Sequence, residues 1–447
     1  MTPLSDLAER TLSEAKRAGA DAADVLAVTG TSVSIDVRGG ALEEATREEG
    51  TDISLRVLIG QRQALVSISD TSPDALQEMA DRAVAMAREA PEDESLGLAE
   101  PGQMAEGLDA ATLDLSDPAA EPDPARLQEM ARAAEAAALA VEGVSQTQGA
   151  GAGYSQRDIV LAGTNGLEMR TARTGSSLSC VAISGEGTGM ERDYDGDSRV
   201  YLADLRSAEE IGRTAGERCV ARAGAKKPPT GSFPVLFDER VASSLVGHVL
   251  QAINGSSVAR GASWLRDAEG EQVLPKGMHL IEDPLRSRML SSRIMDAEGL
   301  ATARRNWIED GVLTGYVCDL GTARKLGRES TGNASRGIGS GPSPSTSNIE
   351  LTQGEKSRDD LVKEMGTGLL ITSMIGQTIN PNTGDYSRGA AGFWVENGEI
   401  TYAVNECTVA GNLRDMLATI VPANDARIWT GRIIPSLLVD GLTLAGA

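Results

Sequence analysis

Residues 224–253 read Gly-Ala-Lys-Lys-Pro-Pro-Thr-Gly-Ser-Phe-Pro-Val-Leu-Phe-Asp-Glu-Arg-Val-Ala-Ser-Ser-Leu-Val-Gly-His-Val-Leu-Gln-Ala-Ile. The first nine combine chain breakers and charge more densely than anything before them, which marks a domain boundary. An N-terminal domain is therefore expected over 1–224 and a C-terminal domain over 225–447. Just past the boundary come a short strand, 234–237, and a helix capped by Asp238. Val241, Leu245 and Val249 form the apolar stripe of that helix, with Ala242, Val246, Leu250 and Ile253 on the adjoining one. His248 falls three residues after Leu245, close to the side that faces the core.

Upstream, Leu4, Leu7 and Leu12 with Ala8 and Ala15 repeat at helical spacing as far as Gly19. Short strands are expected at 25–28, 32–38, 53–59 and 62–69, the last two joined by Gly60-Gln61 in an antiparallel meander. Ser72-Pro73 opens a helix to about residue 90, and Asp123-Pro124 opens an alanine-rich one to about 141. The alanines have little volume, so this helix must pack closely on a neighbour or keep part of its stripe exposed. The Pro-, Gly- and acid-rich stretch 91–124 reads as an exposed connection. Strands follow near 158–162, 167–172 and 177–184, then a helix with Ser207-x-x-Glu210 as a capping box, ending around Gly224.

Downstream of Gly255 glycine recurs too often for a helical domain, and one short helix is expected at 357–365. Asn397-Gly398 is a hairpin signal between Gly392-Phe393-Trp394-Val395 and a returning strand at 400–404. The apolar stretch 433–447 should be tied into a sheet or an interface. The fold class is thus α+β: an N-terminal α/β-type domain with short strands and long helices, then a β-rich C-terminal domain of largely antiparallel sheet. Thr331-Gly332-x-x-Ser335-Arg336-Gly337 recurs as Thr383-Gly384-x-x-Ser387-Arg388-Gly389, 52 positions later. Chance, two similar turns or a duplicated unit would each produce this echo. As loops the two copies would offer hydroxyl and guanidinium groups to a peptide carboxylate.

The chain has 447 residues, enough for two domains, and a formal charge of −23 from 65 acidic and 42 basic side chains. That balance argues against nucleic-acid binding, which rests on neutralising phosphates; the arginines of 286–305 are the best place for a local basic patch. Cysteines stand at 180, 219, 318 and 407 with no C-x-x-C pair, which disfavours thiolate zinc clusters and suits a reducing compartment. No 18-residue apolar run and no basic-then-apolar leader appear, so neither membrane spanning nor secretion is expected.

Only two histidines exist, His248 and His279. A metalloprotease helix needs two histidines on one metal and a glutamate to activate water, and the 243–248 stretch supplies one of the three. His279, in Gly277-Met278-His279-Leu280, reads as a strand residue that either packs structurally or approaches His248 in space. No G-x-S-x-G elbow surrounds any serine, and Cys407 is reactive if exposed and core if not. Glu282-Asp283-Pro284 and Asp296-Ala297-Glu298-Gly299 would bind an ion or a peptide amine, or simply initiate turns. The 339–348 stretch lacks the lysine and spacing of a phosphate loop.

Taken in order, several blocks resemble the PmbA (TldE) branch of the TldD/PmbA family. They are Pro234-Val235-Leu236-Phe237, the Leu245 to His248 helix, Asp296-x-Glu298-Gly299, Ile308-Glu309-x-Gly311-Val312-Leu313, Thr331-Gly332-Asn333, the run from Gly384 through Ser387 to Trp394, and Thr408-Val409-Ala410-Gly411-Asn412-Leu413 with Asn424-Asp425. The N-terminal half matches more loosely, in length and element order. The TldD members look like zinc peptidases with an H-E-x-x-x-H helix and a later cysteine ligand. Matching that helix here places its second histidine at His248, its first at Ser243 and its glutamate at Ser244. No cysteine follows Asn424-Asp425, and Cys407 precedes it.

The resemblance therefore implies a non-catalytic subunit of a cytoplasmic complex that degrades or processes small or unfolded peptides. It implies no cofactor in this chain and zinc in a TldD-like catalytic partner, with a homodimer as the other assembly. Arg336, Arg388, Trp394 and Glu396 are expected at a peptide cleft or interface. Two alternatives stay open: a self-sufficient peptidase with an atypical or shared site, and a non-enzymatic adaptor of the kind once described as a DNA gyrase modulator.

Overall fold

The computed structural model describes residues 3–446. Helix α1 (Leu4–Ala18) buries Leu7, Ala8, Thr11 and Ala15 and stops at Gly19, whose φ of 101° is left-handed backbone suited to glycine. Helix α2 (Pro73–Glu89) starts on Ser72, whose hydroxyl accepts the Ala75 N–H. Both lie on one face of a sheet whose strands are β1 (Ala22–Arg38), β2 (Ala41–Ile59), β3 (Arg62–Ile68), β4 (Val144–Gly163), β5 (Glu168–Ser184) and β6 (Glu191–Arg199). The order is β3-β2-β1-β4-β5-β6 with every neighbour antiparallel. Ala23, Val25 and Ala27 of β1 share one core with Leu7 and Ala8 of α1 and Met79, Ala80 and Ala83 of α2.

A second pair, α3 (Pro124–Leu139) and α4 (Ala208–Ala221), covers Val33, Ile35 and Val37 of β1, which have the same parity and so lie on the same face. A Cβ on Gly212 would sit 1.9 Å from the Ala134 carbonyl oxygen. The alanines of α3 are thus explained by backbone-close packing on α4. Ser207 accepts the Glu210 N–H as the expected cap, while Glu210 itself pairs with Arg206.

The strands run longer than expected from sequence. The stretches 25–28 and 32–38 are one strand, because the polar link Thr29 to Ser32 stays in register with Thr51 to Glu48. The outer half of β2, residues 41–50, is exposed throughout and carries no apolar alternation to announce it. The 91–124 connection also differs: Ala99 packs with Leu300 and Leu320, and Leu113 and Leu115 with Val200, so it straps the two halves together.

In the C-terminal half, β7 (Gly231–Phe237) pairs in parallel with Gly368–Ile379 and antiparallel with Leu437–Ala445. The strands Asp385–Glu396 and Glu399–Asn412 continue the sheet, and the latter pairs back onto Leu437–Ala445. Five strands therefore close into a barrel. Asn397 and Gly398 take φ of 53° and 78°, as a two-residue hairpin of this kind requires. The last strand ties the apolar C-terminal stretch into the sheet, with Ala447 outside the described residues. Helix α5 (Glu239–Ala252) shares one core with the barrel residues Val235, Phe237, Ile371, Tyr386 and Val409. The short helix Arg358–Met365 starts on Ser357 in a full capping box with Asp360. No helix among the described residues is long and apolar enough to cross a membrane.

The two halves meet on the other face of β1 and β2. Asp24 and Arg56 are cross-strand partners, and Arg56 Nε donates to Asp24 Oδ2 at 2.9 Å. Arg336 reaches in from the C-terminal half to donate to Asp24 Oδ1 and, at 3.4 Å, to Ser54. Burial pushes the Asp24 carboxyl upward, and the two guanidiniums outweigh it to hold the group below the usual range. Asp24→Asn leaves two buried cations facing a neutral amide and is expected to cost about 3–5 kcal/mol in urea unfolding at pH 7. Because the folded value is depressed, the carboxylate's contribution is full above about pH 4 and is lost as pH falls through the lower folded value. The gap between the wild type and the Asp24→Asn variant should therefore narrow only in strong acid.

Candidate functional site

Helix α5 begins on Asp238, whose carboxylate accepts the Arg240 N–H at 3.2 Å. Its buried stripe of Ala242, Leu245, Val246, Val249 and Leu250 fixes its rotation. That rotation leaves Ser243, Ser244 and His248 half-buried beside it. Ser244 and His248 are four apart and share a helix face. The Ser244 hydroxyl donates to the Val241 carbonyl at 2.7 Å and lies 3.9 Å from Met374 Sδ. The His248 ring meets Tyr386 edge-on, centroids 6.0 Å apart. The Tyr386 hydroxyl lies 3.6 Å from the same Met374 sulfur.

Among the described residues His248 Nε2 is buried without a hydrogen-bond partner. Burial, reinforced by the Arg388 charge, lowers its pKa to about 4. Burial also raises the Tyr386 phenol against the pull of Arg388. A zinc site needs anionic or imidazole donors. Here a thioether, a phenol, a spent serine hydroxyl and a guanidinium surround one imidazole, and they do not fit a divalent cation. Among the described residues no three His, Cys, Asp or Glu side chains converge to hold a metal ion.

His279 serves elsewhere. Its Nδ1 accepts the Asp310 N–H at 3.2 Å and its own N–H goes to Thr352, so it closes a turn and shares no partner with His248. All four cysteines are free and buried. Burial pushes Cys407 up to about 11 and Cys180 to about 12, so both are protonated packing thiols at neutral pH. Glu282 accepts from Trp307 Nε1 at 2.9 Å, Asn333 Nδ2 at 3.0 Å and Ser347 N–H at 2.6 Å. Asp296 accepts the N–H groups of Glu298, Leu300 and Ala334, a turn-building role.

The four residues expected at a cleft or interface do not gather in one place. Arg336 lines an interdomain cleft while its guanidinium is spent on Asp24. Arg388 stands beside His248 and donates Nε to the Gly376 carbonyl at 2.8 Å. Trp394 is 2% exposed, edge-on to Phe233, and gives its Nε1 to Glu396 at 3.0 Å, which leaves its ring no surface for a peptide. At the internal echo Gly332 and Gly384 both take positive φ, at 69° and 80°, and the arginines after them do different work.

Sequence reasoning did not find that interdomain cleft, about 1090 Å³ in volume. Leu26, Val28, Ile159, Leu161 and Met169 form its sheet side, and Met295 and Ile338 face them from the C-terminal half. Glu48, Glu49 and Asp52 stand on one rim, with Arg157, Arg173 and Arg293 on the lining as well. The signal was present in β1, where residues 23 to 27 are buried on both faces and read as an unbroken apolar run around Asp24. Glu298 was legible from sequence as an ion- or amine-binding carboxylate or as a turn residue. Burial, with Asp319 and Asp296 adding to it, raises its carboxyl to about 8.

With this geometry in place, comparison with known proteins is informative. Models described as PmbA/TldA metallopeptidase domain 1, central domain and C-terminal domain match residues 23–87, 117–223 and 230–446. Metalloprotease PmbA of Escherichia coli O157:H7 is 36% identical over 428 residues, 95% of this chain and 92% of that protein. The chain belongs to the PmbA/TldD family. The Haemophilus influenzae PmbA homolog is 36% identical across 97% of this chain and 94% of its own length. A Bacteroides thetaiotaomicron crystal structure, described as a candidate modulator of DNA gyrase, superposes with a TM-score of 0.92 at 28% identity over the whole of both chains. TldE of Thermococcus kodakarensis shares the fold, with a TM-score of 0.86 at 22% identity, covering 98% of this chain and all of that one.

For a family member the state of His248 is directly measurable. A histidine whose folded pKa lies near 4, against about 6.5 unfolded, stabilises the fold fully above the higher value and loses that contribution as pH falls toward the lower one. Urea midpoints should therefore drop between pH 6.5 and 4. His248→Phe, which keeps an aromatic edge against Tyr386, should show a smaller drop over that range.

Proposed function

We propose that this chain is a subunit of a PmbA/TldD-type peptidase complex that leaves the metal to a TldD-like catalytic partner. The observation that carries this reading is the surroundings of His248. The helix that the family resemblance matches to a metal-binding one carries as donors two serines and one imidazole beside a guanidinium, which supports this reading. Zinc belongs, on this reading, to the partner subunit in a hetero-oligomer, while this chain supplies the walls for small or unfolded peptides. The cleft between the sheet and the C-terminal half suits that role, since its apolar floor takes side chains and its charged rim takes peptide polar groups. Cytoplasmic location agrees with four unpaired, buried thiols. The charge of −23 argues against direct DNA contact.

The relatives' own names, metalloproteases, favour a second reading, a peptidase in its own right, either through an atypical site or a metal shared across a homodimer. The gyrase-modulator description of one structural relative favours a third, a protein adaptor. One experiment separates the first two. The chain purified alone is expected to carry no stoichiometric zinc by elemental analysis and to leave a casein-derived peptide intact. Mixed with a TldD-type subunit, the wild type and His248→Ala should support hydrolysis within about twofold of each other. Stoichiometric zinc and hydrolysis by the isolated chain, abolished in His248→Ala, would establish the self-sufficient reading instead. An affinity pull-down that recovered gyrase and no TldD-type subunit would favour the adaptor.

A further inference from the structure

A second cleft, about 680 Å³ in volume, opens between β6 and the loop 427–432. Arg199, Arg218, Arg240, Arg288, Arg427 and Arg432 all line it, in a chain whose net charge is −23. Five of these are matched by acids. Arg199 pairs with Asp197, Arg218 with Asp195, Arg240 with Asp193 and Asp238, Arg288 with Asp114 and Asp204, and Arg427 with Glu239. Arg432 is exposed and has neither a carboxylate nor a carbonyl partner among the described residues. The cleft therefore holds one uncompensated positive charge.

A buried hydroxyl without a partner lies on the same lining. Ser347 is 6% exposed, and its Oγ makes no hydrogen bond although its backbone N–H is satisfied by Glu282. A buried hydroxyl left unpaired is costly, so a ligand acceptor would relieve it. Strand pairing sets Arg432 opposite Ile349, two residues beyond Ser347, so both groups belong to one end of the cleft. The walls are apolar and open: Trp429 is 39% exposed, Leu290 46% and Tyr194 60%. The Trp429 loop is held in place, since Arg199 donates to the Trp429 carbonyl at 3.0 Å and Arg286 to the Ile428 carbonyl at 2.8 Å.

We propose that this cleft binds a single carboxylate attached to an apolar side chain, the chemistry of a peptide's C-terminal residue. One unmatched guanidinium suits one negative charge and offers two parallel N–H donors to a planar carboxylate. The Ser347 hydroxyl supplies a further donor. A phosphate dianion would bring a second charge toward the carboxylates that pair with the other arginines, with no second free cation to meet it. Trp429, Leu290 and Tyr194 give the side chain an apolar surface to cover. The site is separate from the His248 region, and it requires neither metal nor partner subunit.

The test uses the full chain and the one open indole. Of the four tryptophans, Trp264, Trp307 and Trp394 are 4%, 1% and 2% exposed, so acrylamide quenching reports chiefly on Trp429. N-acetyl-Gly-Leu as the free acid is expected to protect that fluorescence, and its C-terminal amide to bind at least about tenfold more weakly. Arg432→Gln should weaken the free acid to the level of the amide, and Ser347→Ala should weaken it by about threefold. Equal binding of acid and amide, unchanged affinity in Arg432→Gln, or equal displacement by inorganic phosphate would overturn the proposal. The acid-against-amide comparison is made on the wild type, so a misfolded variant does not blunt it. Because no hydrolysis is read, its failure leaves the peptidase-subunit reading standing, and the converse also holds.

Discussion

One buried carboxylate, that of Asp24, joins the two halves of the molecule. Its β2 neighbour Arg56 neutralises it from within the sheet, and Arg336 does so from the C-terminal half. Removing Asp24 strands two guanidiniums in a region with side-chain exposure of 5% or less, where water cannot compensate them. The pairing sits on the face of β1 that the helices leave bare. It therefore fixes the distance between the sheet and the C-terminal half, and with it the shape of the interdomain cleft. Apolar contacts such as Leu26, Leu161 and Leu167 fill the space around this cleft but have no directional preference of their own.

The same economy explains the His248 region. The rotation of α5 is set by its stripe of Leu245, Val246, Val249 and Leu250, which contacts the barrel core and would do so whatever stood at 243, 244 and 248. A helix of this kind holds its position without metal ligands. Ser244 then turns inward on its own backbone, His248 settles against Tyr386, and the Arg388 charge bears on the imidazole. The result is an imidazole that burial keeps neutral at pH 7.

Much of the architecture was legible because it rests on local signals. Ser72-Pro73, Asp123-Pro124 and Ser207 start helices where side-chain caps form, and Asn397-Gly398 makes the hairpin that positive φ requires. The long strands were less legible, since the outer half of β2 has one polar residue after another and the link at 29–32 breaks the apolar alternation of β1. At the site, the serines at 243 and 244 of the His248 helix could be read directly. The fates of Arg336 and Trp394 could not, because an arginine's partner 312 residues away and a tryptophan's burial inside a closed barrel are set by long-range pairing.

The placement of charge adds a last step. The chain is strongly acidic overall, yet its arginines are concentrated where the sheet edge, the 286–293 segment and the 427–432 loop converge. Arg218 and Arg206 donate to the carbonyls of Tyr194 and Gly196 on β6, the outermost strand of the first sheet. An edge strand with free carbonyls would invite pairing with another chain, and these side chains close it. The arginine network is thus a structural device in its bulk, which blunts a sheet edge and draws the halves together through Arg240 on Asp193, Arg288 on Asp114 and Arg199 on the Trp429 carbonyl. Arg432 stands outside that accounting: it closes no edge and meets no acid. In a molecule where every other arginine of the cleft has a partner, an unmatched guanidinium beside an unmatched buried hydroxyl is where a ligand's charge has most to gain.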